Sequence, residues 1–171
     1  MKQNLELARH ELKVAVLQPE IAPNTGNIGR LCVATGTELH LVRPLGFVLS
    51  DRQLKRSGMD YWERLKLTVH DDDEAFFRWL GTLPTEVGKP VRERVWLFTS
   101  KGEQSVWEAP FADGDVLVFG SETRGISERV RGRYPERLVR IPQAAGERCL
   151  NLSTAAGIGL YEALRKVEGK R

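Results

Sequence analysis

Cysteine is almost absent: Cys32 and Cys149 are the only two in 171 residues. They show no C-x-x-C spacing and no ligand-like grouping with His10, His40 and His70. A disulfide scaffold and a structural zinc site are therefore set aside, no metal is expected, and a reducing cytoplasm fits. Long apolar runs are also missing. The longest, such as Val116–Phe119, fall far short of the ~18 residues a membrane helix needs, so no membrane partner is expected. The opening MKQNLELARHELK has no apolar stretch of the secretory type. No G-x-G-x-x-G, G-x-x-x-x-G-K-[ST], G-x-S-x-G or H-E-x-x-H occurs. These absences argue against an ordinary Rossmann oxidoreductase, an NTPase, a serine hydrolase and a zincin.

What is present is ordinary in bulk and biased in detail. A hydrophobic share of 41%, with Gly 16 and Pro 8, suits a globular protein of one domain. The charge balance is 26 basic against 23 acidic residues, a net +3. Arginine outnumbers lysine by 18 to 8, and arginine's planar fork grips two phosphate oxygens at once. Six arginines lie between Glu122 and Arg140, against three glutamates. Six basic residues also fall between Arg43 and Lys66. Two readings follow: a nucleic-acid-facing surface, or solvated helix faces.

Strand-like and helix-like stretches alternate. Lys13–Leu17, Leu39–Val42, Leu65–His70, Arg94–Phe98, Asp115–Phe119 and Arg137–Ile141 read as strands. A helix capped by Asn24 or Thr25 runs to Thr35, with Gly36 as its stop. Ser50 caps a short helix carrying Leu54, Asp71–Asp73 favour the start of a helix over Glu74–Leu80, and another short helix covers Ser127–Arg131. Residues 81–93 read as a loop, and a last helix runs from Asn151 or Ser153 to Val167. The fold class is α/β with a mostly parallel sheet flanked by helices. Residues 1–12 read as an appended segment ahead of a single domain over 13–171.

Three loops depart from generic composition, and each follows a strand, where open α/β sheets bind ligands. Pro19–Arg30, PEIAPNTGNIGR, places Asn24, Asn27 and Arg30 around a helix start, within two turns, so that Asn24 and Arg30 can face one pocket. Phe119–Gly125, FGSETRG, brackets Glu122 and Arg124 with two glycines. Gly120 lets a ligand approach the backbone there, and Gly125 is expected at positive φ. Ile141–Ser153, IPQAAGERCLNLS, is a long irregular loop of the kind that is usually functional. Singly, each has a bland reading as a capped helix, a polar turn or a connector.

Together the three resemble motifs of the SPOUT superfamily of RNA 2′-O-methyltransferases, in the TrmH/TrmL group. PEIAPNTGNIGRLCVATG is similar to the first motif, FGSETRG to the second, and IPQAAGERCLNLSTAAGIGLYEA to the third, in matching order over Val14 to Leu164. Within the group the likeness is greatest to enzymes that modify wobble nucleotide 34, cytidine or uridine, of leucine tRNAs. The resemblance implies a C-terminal deep trefoil knot, an exception to the rule of unknotted chains. It implies S-adenosylmethionine as cofactor, tRNA as partner and a homodimer. The cofactor pocket would be lined by Phe98, Gly120, Ile141, Cys149 and Leu150. Several relatives have serine where this chain has Cys149, and a thiol is a weaker hydrogen-bond donor than a hydroxyl.

The reaction implied is attack of a ribose 2′-OH on a sulfonium methyl group, a positioning task that needs no metal. Arg30, Asn24, Glu122 and Asn151 match the motif residues that would carry it. Arginine stays protonated, so Arg30 would act electrostatically, orienting a phosphate and the hydroxyl. Arg43 and Arg124 are the candidates for RNA binding. The alternatives are the same chemistry at another tRNA position or on rRNA, and an RNA-binding protein without catalysis.

Overall fold

The computed structural model describes residues 6–49, 60–84 and 90–169. The helix expected after Ser50 and part of the 81–93 loop lie outside the described residues. Strands β1 (Lys13–Leu17), β2 (Glu38–Val42), β3 (Leu67–His70), β4 (Val95–Phe98), β5 (Gln104–Ser105), β6 (Val116–Phe119) and β7 (Leu138–Arg140) form one sheet. Its order is β3-β2-β1-β6-β4-β7-β5, and every pairing is parallel. Helices α1 (Ala22–Thr35), α2 (Asp73–Gly81), α3 (Glu128–Arg131) and α4 (Leu152–Glu168) cover its faces.

Both faces are packed, which explains why the central strands are continuous apolar runs rather than alternating ones. Val14 and Val16 of β1, Trp96 and Phe98 of β4, and Leu117 and Phe119 of β6 share a core with Ile28 and Cys32 of α1 and Ala156, Leu160 and Leu164 of α4. Their chain neighbours point the other way. Ala15, Leu17, Val95, Leu97, Val116 and Val118 pack against Phe76 and Leu80 of α2 and Val130 of α3.

The helix ends follow local chemistry. Asp72 caps α2 by accepting from the Ala75 amide at 2.7 Å, with Asp73 and Glu74 in the first turn. Helix α1 begins at Ala22, two residues before the expected cap, because Pro23 suits the first turn and needs no N–H partner. It stops at Gly36, whose φ of 73° is left-handed. At the sheet edge β2 and β3 bring His40 Nδ1 within 3.0 Å of His70 Nε2, with Trp79 stacked on His40. Burial, then the neighbouring His70 and Lys13, push His40 down to about 3.

One connection is unusual. Strands β4 and β5 are joined by residues 99–103, yet β7 lies between them. Phe98 and Gln104 both pair with Val139, so the link has to cross one face of β7. A side chain at Gly102 would sit 2.6 Å from the Val139 carbonyl carbon, so only glycine lets the crossing lie this close.

Candidate active site

The seven described strands run in the same direction, so the loops leaving their carboxyl ends gather on one edge. There a cavity of about 450 Å³ is lined by residues following β4 (Phe98–Lys101), β6 (Phe119–Ile126) and β7 (Val139–Ile141), by the start of α1, and by Cys149–Leu152. The three unusual loops of the sequence thus converge. Asn24, Phe98, Gly120, Glu122, Arg124, Ile141, Cys149, Leu150 and Asn151 all line this one cavity.

Three of them form a chain of hydrogen bonds whose direction is fixed. Asn151 caps α4, and its Oδ1 accepts from the amides of Ser153 (2.9 Å) and Thr154 (3.3 Å). Its Nδ2 must then point away, and it donates to Asn24 Oδ1 at 2.9 Å. Asn24 Nδ2 in turn donates to Glu122 Oε1 at 3.0 Å. The Glu122 carboxylate also accepts from the amides of Glu20 at 2.7 Å and Ile21 at 3.1 Å. Glu20 answers through its own carboxylate, which accepts from the Thr123 amide and hydroxyl at 3.1 and 2.7 Å. The beginnings of α1 and α4 and the loop after β6 are therefore tied into one unit. Hydrogen bonds to a charged acceptor in a half-buried setting are the strong ones.

The shared pocket expected for Asn24 and Arg30 is not formed within the chain. Arg30 and Arg43 do not line the cavity. Asn24 is buried while Arg30 is exposed. Six helical residues amount to about 240° of net rotation at 3.6 residues per turn, so the two side chains leave α1 on different sides. Among the described residues Arg30 has no ion-pair partner, whereas Arg43 lies 3.9 Å from Asp71. The close approach at Gly120 is made by the chain itself, since a Cβ there would sit 2.1 Å from the Gly125 carbonyl carbon. Gly125 has φ 63°, as expected of it, and closes the turn through its amide on the Ser121 carbonyl. Cys149 is exposed, while burial in α1 pushes the Cys32 thiol up to about 12 and leaves it inert.

Thr99, Ser100, Lys101 and Arg140 line the cavity without having been singled out from sequence. The available signal was their position just past the apolar ends of β4 and β7.

The SpoU rRNA methylase family model matches residues 11–161 of this chain. The chain belongs to the SpoU methylase family. A tRNA (cytidine(34)-2′-O)-methyltransferase of Methylovorus glucosotrophus is 46% identical over 154 residues, covering 90% of this chain and 94% of that protein. A solved structure described as giving insight into 2-OH methylation of C/U34 on tRNA shares 42% identity with a TM-score of 0.81, over 94% of this chain and 98% of its own. The SpoU methyltransferase AviRb of Streptomyces viridochromogenes, solved in complex with the cofactor AdoMet, has the same fold at 24% identity and a TM-score of 0.75, over 93% and 62% of the two chains. The resemblance read from the three motifs is borne out. As a SpoU methylase, the protein is an enzyme of methyl transfer, built on a parallel α/β sheet.

Proposed function

We propose that this SpoU methylase transfers a methyl group from S-adenosylmethionine to the ribose 2′-oxygen of nucleotide 34, a cytidine or uridine, in leucine tRNAs of the cytoplasm. The likeness to tRNA (cytidine(34)-2′-O)-methyltransferases over nine-tenths of the chain supports the substrate, and it carries this reading. Convergence of the three motif loops on one cavity supports the chemistry.

The residues present fit the cofactor. A cavity of about 450 Å³ falls within the range of roughly 300–1,000 Å³ usual for small-molecule sites. Phe98, Ile141 and Leu150 give it apolar walls, and Gly120 and Cys149 complete the lining. The cofactor, when bound, supplies a methyl group on a sulfonium whose departure leaves a neutral thioether. Asn24, Glu122 and Asn151 hold the loops around it and take no proton in this scheme. Arg30 orients a substrate phosphate and the attacking hydroxyl, and offsets charge developing on the ribose oxygen. The phosphate accepts the hydroxyl proton. Because Arg30 is exposed and does not line the cavity, the reacting atoms have to be brought to it by the bound RNA or by a second subunit. A homodimer is supported by Leu7, Ile158 and Tyr161, apolar side chains left exposed on the N-terminal segment and α4. The proposed fold includes the trefoil knot, in keeping with the crossing of residues 99–103 over β7.

Residues 1–12 remain in this proposal a segment appended to a single domain, 13–171. Its described part is anchored: Ala8 donates to Glu168 at 3.1 Å, and His10 bonds the Thr35 carbonyl at the end of α1 at 2.7 Å.

The test is nucleoside mass spectrometry on unmodified total tRNA incubated with purified enzyme and S-adenosylmethionine. A 2′-O-methylated cytidine or uridine mapped to position 34 is the expected result. Methylation at another position would discard the address and keep the chemistry. No methylation of tRNA would overturn the substrate.

A further inference from the structure

The cavity mouth carries more positive charge than its proposed cofactor can use. Lys101 stands on the link between β4 and β5, Arg124 on the loop after β6, and Arg140 at the end of β7. All three are exposed and line the cavity, and among the described residues no side-chain hydrogen bond or ion pair engages them. Three other arginines of this stretch are otherwise occupied. Arg129 and Arg133 pair with Asp73 and Glu74 at 2.8–3.3 Å, and Arg131 donates to the Ile126 carbonyl. Glu122, the one carboxylate among the cavity-lining residues described, is already met by three donors.

Charge decides what such a rim attracts. S-adenosylmethionine carries a sulfonium, an ammonium and one carboxylate, a net positive ion. Its single carboxylate cannot balance three cations, and its own positive groups add to them. A nucleic-acid backbone offers a row of phosphates to cations spread over three loops, and side chains free of competing acids need break no bond to take them.

We propose that Lys101 and Arg140, with Arg124, form a phosphate-binding rim that seats the substrate RNA backbone across the cavity mouth. This rests on the reading of the enzyme as a tRNA methyltransferase. A consequence is coupling between the two ligands. Phosphates on the rim lower the positive potential felt by the cationic cofactor, so RNA strengthens cofactor binding, and by linkage the cofactor strengthens RNA binding equally.

The test uses the Lys101→Ala/Arg140→Ala double variant, with Arg78→Ala on α2, beside β3 at the far end of the sheet, as control. Binding of a tRNA transcript is followed by fluorescence anisotropy over a series of salt concentrations, and cofactor binding by calorimetry with and without tRNA. The double variant should bind tRNA about tenfold more weakly at low salt, and its salt slope should fall by roughly 1.4, two contacts at ~0.7 each. Its affinity for S-adenosylmethionine alone should be unchanged or tighter, and the gain in cofactor affinity on adding tRNA should shrink. Arg78→Ala should match wild type. Wild-type tRNA affinity and slope in the double variant would overturn the rim while leaving the proposed function intact. An equal loss of cofactor and tRNA binding would also overturn it, by giving the rim to the cofactor carboxylate. A wild-type enzyme that neither binds nor methylates tRNA would remove the proposed function and the rim together. If the double variant melts early, Lys101→Gln and Arg140→Gln singly give the same readout.

Discussion

Replacing Glu122 by glutamine tests the hydrogen-bonded chain that ties the site together. The change keeps shape and removes one acceptor atom. If the new amide oxygen keeps the Ile21 and Asn24 bonds, its nitrogen faces the Glu20 amide, which now donates to Oε2 at 2.7 Å. Turned the other way, the nitrogen faces the Ile21 amide and Asn24 Nδ2. Asn24 could respond by flipping, but its Nδ2 would then meet Asn151 Nδ2. Asn151 cannot flip in turn without losing the α4 cap at Ser153 and Thr154. Every arrangement leaves a donor facing a donor. Orphaning one costs about 1–3 kcal/mol, and the remaining bonds lose their charged acceptor, for a total of about 2–4 kcal/mol. For a chain of this length roughly 2–4 °C of melting temperature goes with each kcal/mol, so a drop of about 4–16 °C is expected. Thermal and urea denaturation measure it, and cofactor affinity should fall as the loop after β6 loosens. A change below about 0.5 kcal/mol in both denaturation assays would refute the assignment of donors and acceptors.

Further expectations follow from other parts of the molecule. His40 is held neutral in the fold down to about pH 3, while an unfolded histidine takes a proton near 6.5, so the fold loses stability as pH falls below 6.5. Its share is about 2 kcal/mol by pH 5, read as a shift of urea midpoint that shrinks in His40→Asn. Gly159→Ala puts a methyl 2.6 Å from Phe98 Cε1 and should cost about 1–3 kcal/mol, displacing the Phe98 ring into the cavity. Melting and cofactor titration should both register it, and a variant as stable as wild type would show that Phe98 has room to yield. Arg30→Lys keeps the charge but loses the two-pronged contact. Single-turnover methyl transfer should drop at least about tenfold with cofactor affinity unchanged, and near-full activity would mean the fork is irrelevant.

The sheet was legible where strands are buried on both faces. Lys13–Leu17 was read with its true bounds because five consecutive core positions leave no ambiguity. Strand β5 was not legible: Gln104–Ser105 is two half-buried polar residues, held only by pairing with a strand more than thirty positions later. Asn24, Glu122 and Asn151 stood out as polar residues near glycines and helix starts. Their mutual bonds span up to 127 positions and depend on where three loops end, which local pattern does not encode. Arg30 shows the limit most sharply. Its distance from Asn24 along the chain suggested a shared pocket, but helical rotation separates them. At Gly120 the sequence suggested room for a ligand to approach the backbone, whereas the space left by the missing side chain is taken by the chain's own backbone at Gly125.

The position of β7 between β4 and β5 sets an order of assembly. Among the described residues strand β5 pairs with β7 alone, and Leu138 is made 33 residues after Ser105. A nascent chain that has emerged as far as Phe119 can already join β3, β2, β1, β6 and β4. The stretch from Thr99 to Ser105 must wait, unpaired, for the slot beside β4 to be filled. Synthesis from one end thus finishes the sheet at its far edge, and the loops that build the cavity close only in the last step. A chain stopped before Leu138 would hold the residues of five strands but lack both α4, which covers one face of them, and the wall on which a methyl donor could rest.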